Sequence, residues 1–277
     1  MQYLEATRLG NEPMTELEQQ FANYHSTAEI NDSVWTSLNA KTDSVPFLKA
    51  HRDWVEKNSW GFGDRAFHYM WYLILRDDVL RRPNPKLLEI GVYKGQVISL
   101  WALIANELQA PAHITAISPF ESKKPWFARN RLLNLCARVL IKKHRDDLRS
   151  ANLYDHGNYL DHVHRIFRQF ELPETNLSLV RGYSQDEHIY EKLTGNLFDV
   201  IYIDGGHRFE QVAQDLAVYS KCIAAGGYLV LDDAACNQPG SKFWKGHRSV
   251  SRAADDWQST GFVNVLNVGH NRVYRRA

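Results

Sequence analysis

Val200-Ile201-Tyr202-Ile203-Asp204-Gly205-Gly206-His207 reads as a strand that runs into an acidic residue, a tight turn and the start of a helix. Four consecutive apolar residues suit a strand buried on both faces. Two glycines let the chain turn sharply without a side-chain clash. Beyond them Phe209, Val212, Ala213, Leu216, Ala217 and Ile223 form one apolar stripe, predicting a helix that stops at Gly226-Gly227. Tyr228-Leu229-Val230-Leu231 then repeats the strand pattern and ends in Asp232-Asp233. Two strands joined by a helix pair in parallel, which puts both acidic ends on one edge of the sheet.

The same alternation extends outward. Upstream, Lys86–Ile90 predicts a strand, Gln96–Leu108 a helix, His113–Ile117 a second strand and Leu177–Val180 a third. Downstream, Phe262–Val268 and Arg272–Arg275 flank Gly269-His270-Asn271, the pattern of a hairpin. The expected fold is α/β. It is a Rossmann-like, doubly wound, mostly parallel seven-stranded sheet over residues 85–277, with an antiparallel C-terminal hairpin strand. Arg81-Arg82-Pro83-Asn84-Pro85 separates this domain from residues 1–84. That first region reads as a mainly helical, aromatic-rich accessory unit. Glu16–Tyr24 and His68–Leu80 have helical character, and Asn31–Gly63 shows no clear period. Its Trp35, Trp54, Trp60 and Trp71 either pack it onto the main domain or line an acceptor pocket. A basic, Leu-rich insertion occupies about 123–157, with His162–Phe170 as the crossover helix after it. The insertion reads as an amphipathic helix with a solvated basic face, a lid, an oligomer contact or an anion dock.

Composition narrows the function. The 277 residues carry 33 Lys+Arg against 32 Asp+Glu, a net charge of +1, unlike the basic domains that bind nucleic acid. Three scattered cysteines, Cys136, Cys222 and Cys236, form neither a disulfide framework nor a paired metal motif. No apolar run is long enough to span a bilayer, and the first residues lack a signal-peptide pattern. A cytoplasmic protein with neither nucleic-acid nor membrane partners is expected, acting on a small molecule as a homo-oligomer.

The chemistry sits at strand ends. Leu88-Glu89-Ile90-Gly91-Val92-Tyr93-Lys94-Gly95 is a strand followed by Gly-x-x-x-Gly, which suits backbone approach to a ligand at a helix start. The spacing differs from the dinucleotide fingerprint, so NAD is not the favoured ligand. Asp204, Asp232 and Asp233 converge if their strands are neighbours. Carboxylates that close repel unless a cation neutralises them, and oxygen donors suit Mg²⁺, Mn²⁺ or Ca²⁺. Both adjacent aspartates can serve only if the chain turns between them. His207, beside this trio, is placed as a general base.

Glu89-Ile90-Gly91-x-x-x-Gly95, Ile203-Asp204-Gly205-Gly206-His207 and Asp232-Asp233 resemble class I S-adenosylmethionine-dependent methyltransferases. More narrowly they resemble the metal-dependent macrocin and mycinamicin type of sugar O-methyltransferases, with their cephalosporin hydroxylase-like relatives. The resemblance implies S-adenosylmethionine as cofactor, its methionine part near Glu89, Gly91, Tyr93 and Gly95, and Asp204 also at the cofactor. It implies Mg²⁺ (or Mn²⁺) on Asp204, Asp232 and Asp233, with His207 as base. The family's acidic ribose-binding residue is replaced here by Ser118, and its Gly-Asp-Ser by Gly182-Tyr183-Ser184. Ser118 and Ser184 would then hydrogen-bond ribose, while Phe120 or Tyr183 would stack on adenine or belong to the core. The implied reaction is methyl transfer to a hydroxyl of a vicinal diol on a sugar, glycoside or other natural product. The alternative is a non-catalytic, methyltransferase-like binding subunit.

Overall fold

The computed structural model describes residues 13–121, 130–141, 158–193, 195–236, 238, 241, 246–257 and 261–277. Four helices precede the sheet: α1 (Glu16–Ala22), α2 (Ala28–Ser44), α3 (Pro46–Asn58) and α4 (Arg65–Asp77). Thr15 and Glu18 close a reciprocal capping box at the start of α1. The stretch Asn31–Gly63, expected to be irregular, is largely helical in α2 and α3. The reason lies in what α2 buries: Asn31, Leu38 and Thr42, two of them polar. Asn31 Nδ2 donates to the Gly269 carbonyl and Thr42 Oγ1 to that of Arg65. Hydrogen-bonded polar side chains thus occupy core-facing positions and hide the helical period.

The sheet and its crossovers follow as β1 (Lys86–Ile90), α5 (Gln96–Glu107), β2 (His113–Ser118), α6 (Arg131–Leu140), α7 (Tyr159–Gln169) and β3 (Leu177–Arg181). Next come α8 (Glu187–Leu193), β4 (Phe198–Ile203), α9 (Phe209–Tyr219), β5 (Ile223–Leu231), α10 (Arg248–Asp256), β6 (Phe262–Val268) and β7 (Asn271–Arg276). Strand order is β3-β2-β1-β4-β5-β7-β6, parallel except for β7, which is antiparallel to both neighbours. This is the seven-stranded Rossmann-like arrangement expected from the sequence. Gly226-Gly227 does not cap a helix: α9 ends at Tyr219, and the glycines lie inside β5, where the pairing with β4 is irregular. A Cβ on Gly227 would come 2.9 Å from the Asp199 carbonyl oxygen, which is why the close pairing there takes glycine. Within the insertion only 130–141 are described. They form α6, capped by Asn130, with Leu132, Leu135, Val139 and Leu140 exposed. None of the described helices is long and apolar enough to cross a membrane.

Register decides where the chemistry goes. Ile90 pairs with Ile203, Ile203 with Leu231, and Leu231 with Arg272. Main-chain bonds extend this ladder past the strand ends: Gly91 N to Ile117 O (3.0 Å), Asp204 N to Ile90 O (2.8 Å), Asp232 N to Ile203 O (3.1 Å). Gly91, Asp204 and Asp232 are therefore level along one rim. Because β7 runs antiparallel, its first residues lie beside the last residues of β5. That brings the β6–β7 turn to the same rim, where Ala234 N donates to His270 O at 2.8 Å.

Helix α4 roofs this rim and is buried along most of its length. Trp71 meets Trp101 and Tyr202 edge-on, at 5.0 and 5.2 Å between ring centroids. The accessory region and the sheet thereby share one core. Trp71→Ala is expected to cost about 3–5 kcal/mol of unfolding free energy. Urea unfolding followed by far-ultraviolet dichroism checks this; a loss below about 1 kcal/mol would mean the roof is held elsewhere.

Candidate active site

Two cavities open at the carboxyl ends of the parallel strands. One, of about 370 Å³, lies between α4 and the ends of β1, β4 and β5. Its walls include Phe62, Phe67, His68 and Trp71 from the accessory region, and Glu89, Tyr202, Asp204, His207, Asp232, Asp233, His247 and His270 from the sheet side. The second, of about 220 Å³, sits over the ends of β1, β2 and β3, against Ser118, Tyr183, Ser184 and Gln185. Gly91, Tyr93 and Asp204 border both cavities, so the two form one continuous cleft.

Backbone geometry sets the acidic group. Gly91 has φ +96°, and a Cβ there would fall 1.9 Å from the Asp204 carbonyl oxygen, so only glycine lets β1 and β4 close at this point. Asp233 has φ +55°, a left-handed turn directly after Asp232. That turn is what allows both adjacent aspartates to face the same cavity. Gly246, at φ +121°, packs its backbone on Asp233, and His247 N donates to Asp233 O at 2.9 Å.

Three imidazoles meet the carboxylates. His270 Nε2 is 3.1 Å from Asp232 Oδ1 and 4.0 Å from Asp233 Oδ1. On the other side of Asp233, Oδ2 lies 3.2 Å from His207 Nε2 and 3.7 Å from His247 Nε2. The His207 and His247 rings stack at 4.1 Å. Glu89 Oε2, Asp232 Oδ1 and the Nδ1 atoms of His207 and His270 are buried without a hydrogen-bond partner. So many unsatisfied atoms in one cavity mark a place built for a ligand.

The charges divide accordingly. Burial, then Asp232 and Asp233, push the Asp204 carboxyl well above its ordinary range, and it hydrogen-bonds Asp232. Burial likewise pushes the Glu89 carboxyl well above its ordinary range. Burial also works against ionising Asp232, yet His270 keeps it below the usual carboxylate range. Asp233 is raised to about 7 by burial and by Asp232. His207 is lowered to about 4, by burial first and His247 second, and is therefore neutral at pH 7.

The remaining expected residues divide between cleft and core. Ser118, Tyr183 and Ser184 line the second cavity, with Tyr183 half exposed. Phe120 does not: its side chain is 1% exposed and packed in the core, the other of the two readings its sequence allowed. Gly95 borders neither cavity; it is the α5 N-cap at φ +88° and faces Val163. The first acid after β2, Glu121, lines the second cavity and pairs with Arg181 at 2.6 Å. Phe243 and Trp244, two aromatic residues a short way beyond Asp233, lie outside the described residues. His247 and His270 were not singled out as site residues from the sequence.

A family model described as a methyltransferase domain matches residues 88–234, more than half of the chain. The chain belongs to this methyltransferase family. The matched span runs from β1 through the turn after Asp233, and so includes all the carboxylates of the cleft. A search of curated proteins finds the uncharacterized protein R132 of Acanthamoeba polyphaga mimivirus, 36% identical over 67 residues. That match covers 24% of this chain and only 30% of the viral protein. Among solved structures, the O-methyltransferase NovP superposes with a TM-score of 0.51 at 14% identity, over 76% of this chain and 79% of that one. The S-adenosylhomocysteine-bound Podospora anserina methyltransferase PaMTH1 gives 0.50 at 13% identity, over 97% and 99%. At these identities the likeness is one of fold.

Beneath the second cavity of the methyltransferase cleft, Gln185 Nε2 donates to Asp215 Oδ1 at 2.9 Å, and Asp215 Oδ2 is left unpaired. Burial raises the Asp215 carboxyl to about 6. A carboxyl whose folded pKa exceeds its unfolded value gives full stability below the unfolded value, and loses it as pH rises through the folded one. The window here is roughly pH 4 to 6. Asp215→Asn is expected to flatten that decline and to stabilise the ligand-free protein by about 2 kcal/mol at pH 7.5. Unfolding free energies at pH 4 and 7.5 test it, and an unchanged pH slope would refute the assignment.

Proposed function

We propose that the protein is an S-adenosylmethionine-dependent O-methyltransferase that also uses a divalent cation. The reading is carried by one observation: Asp204, His207, Asp232 and Asp233, distant in sequence, line one cavity that is continuous with a second at the ends of β1, β2 and β3. In a doubly wound sheet this carboxyl edge is where a nucleoside cofactor lies. The residues fit such a cofactor. Gly91 presents its backbone to the second cavity, the Ser118 and Ser184 hydroxyls suit ribose, and exposed Tyr183 offers a ring for the base. S-adenosylmethionine supplies a methyl group on a sulfonium, ready for in-line transfer to a nucleophile.

The first cavity suits the acceptor. Phe62, Phe67 and Trp71 offer apolar rings, and the carboxylates opposite suit a hydroxyl-bearing molecule. Asp232 and Asp233, with Asp204 or His270 beside them, would hold the cation, which lowers the pKa of a hydroxyl it binds. His207, neutral at pH 7, takes the proton from the attacking hydroxyl. A pair of neighbouring hydroxyls satisfies both demands, which favours vicinal diols. Sugars come first among these, by resemblance to the macrocin and mycinamicin type. A cytoplasmic enzyme acting on a small glycoside belongs to the same proposal.

His207→Ala should lower methyl transfer by roughly 10²–10⁴-fold. Binding of S-adenosylhomocysteine by calorimetry should stay within a few-fold of the unchanged protein. Full activity in the variant would dismiss His207 as the base. Absence of S-adenosylhomocysteine binding in the unchanged protein would instead favour a non-catalytic subunit.

A further inference from the structure

We infer that the cation centre is a mixed nitrogen–oxygen site in which His270, on the β6–β7 turn, is a ligand beside Asp232 and Asp233, and that it selects a first-row transition ion over Mg²⁺. One Nε2 and two carboxylate oxygens lie within 4.8 Å of one another. His270 Nε2 and Asp232 Oδ1 stand 3.1 Å apart, and the buried Nδ1 of the same imidazole has no partner. Donor atoms 3.1 Å apart have the spacing of two ligands that share one ion at about 2.1 Å from each. The imidazole is fixed in this position, because its side chain is 6% exposed and the Phe67 ring meets it edge-on at 4.7 Å.

Ligand type decides the ion. Mg²⁺ prefers an all-oxygen shell and keeps several waters, whereas imidazole suits Mn²⁺, Fe²⁺, Co²⁺ and Zn²⁺ increasingly well. The site therefore departs from the oxygen-only set expected from the sequence. This deepens the proposed function by naming the class of metal, and it is measured without cofactor or acceptor, so it can fail while methyl transfer stands.

The test titrates the metal-free full-length protein with Co²⁺, followed by its visible absorption, and with Mg²⁺ in competition. Co²⁺ should bind with an affinity on the order of 10²-fold or more above that of Mg²⁺. His270→Ala should weaken Co²⁺ binding by more than about 10-fold and change the spectrum. His247→Ala should leave both within about two-fold. X-ray absorption of the Co²⁺-loaded unchanged protein, which needs no variant, should show an imidazole scatterer. Equal affinity for Mg²⁺, an oxygen-only shell, or unchanged binding in His270→Ala would overturn the assignment. Loss in His247→Ala rather than His270→Ala would also overturn it, placing the ion between His207 and His247 instead.

Discussion

The structure turns on a conflict at the carboxyl rim of the sheet: four carboxyl groups, those of Glu89, Asp204, Asp232 and Asp233, border one cavity roofed by aromatic side chains. They cannot all be charged in such a place, because burial favours the neutral form and each charge raises its neighbours. The protein divides them instead. His270 holds Asp232 below the usual carboxylate range, whereas burial pushes Asp204 and Glu89 well above it, toward the neutral form. An arrangement of this kind resists folding less than four bare charges would, and it leaves one anionic focus for a ligand.

The main chain supplies what the side chains alone cannot. Neighbouring strands end level because the ladder hydrogen bonds run one residue beyond them, into Gly91, Asp204 and Asp232. The left-handed turn at Asp233 then swings a second carboxylate into the same space. Glycine at 91 and 246 allows the backbones to touch where any Cβ would collide. The polar groups that β1, β4, β5 and the final hairpin bring to the cleft are therefore placed by sheet geometry.

Much of this was legible in the sequence, for identifiable reasons. Strand β1 has the bounds read from the sequence and β4 ends where its apolar run Val200–Ile203 ends, since strands covered on both faces are mostly apolar. Asp204, Asp232, Asp233 and His207 could be gathered because parallel strands separated by helices end on the same edge. The helices α2 and α3 were not legible, because hydrogen-bonded polar residues, Asn31 and Thr42 in α2 and His51 and Arg52 in α3, occupy positions where the period needs apolar residues. The placement of Phe120 in the core rather than on the cleft follows from a backbone turn at φ +52°, which no composition reveals.

The two missed histidines differ in kind. His247 reaches the site because Gly246 packs on the backbone of Asp233, a tertiary contact with no local signature. His270 was within reach of reasoning. An antiparallel strand appended beside the last parallel strand starts where that strand ends, so the turn before it must lie on the functional rim. The hairpin Gly269-His270-Asn271 was visible in the sequence, and its position followed from the expected topology alone. A closing hairpin in such a sheet is thus more than an edge cover. It carries a side chain to the one place where the parallel strands have already concentrated their charge, and here that side chain is the imidazole that keeps Asp232 ionised.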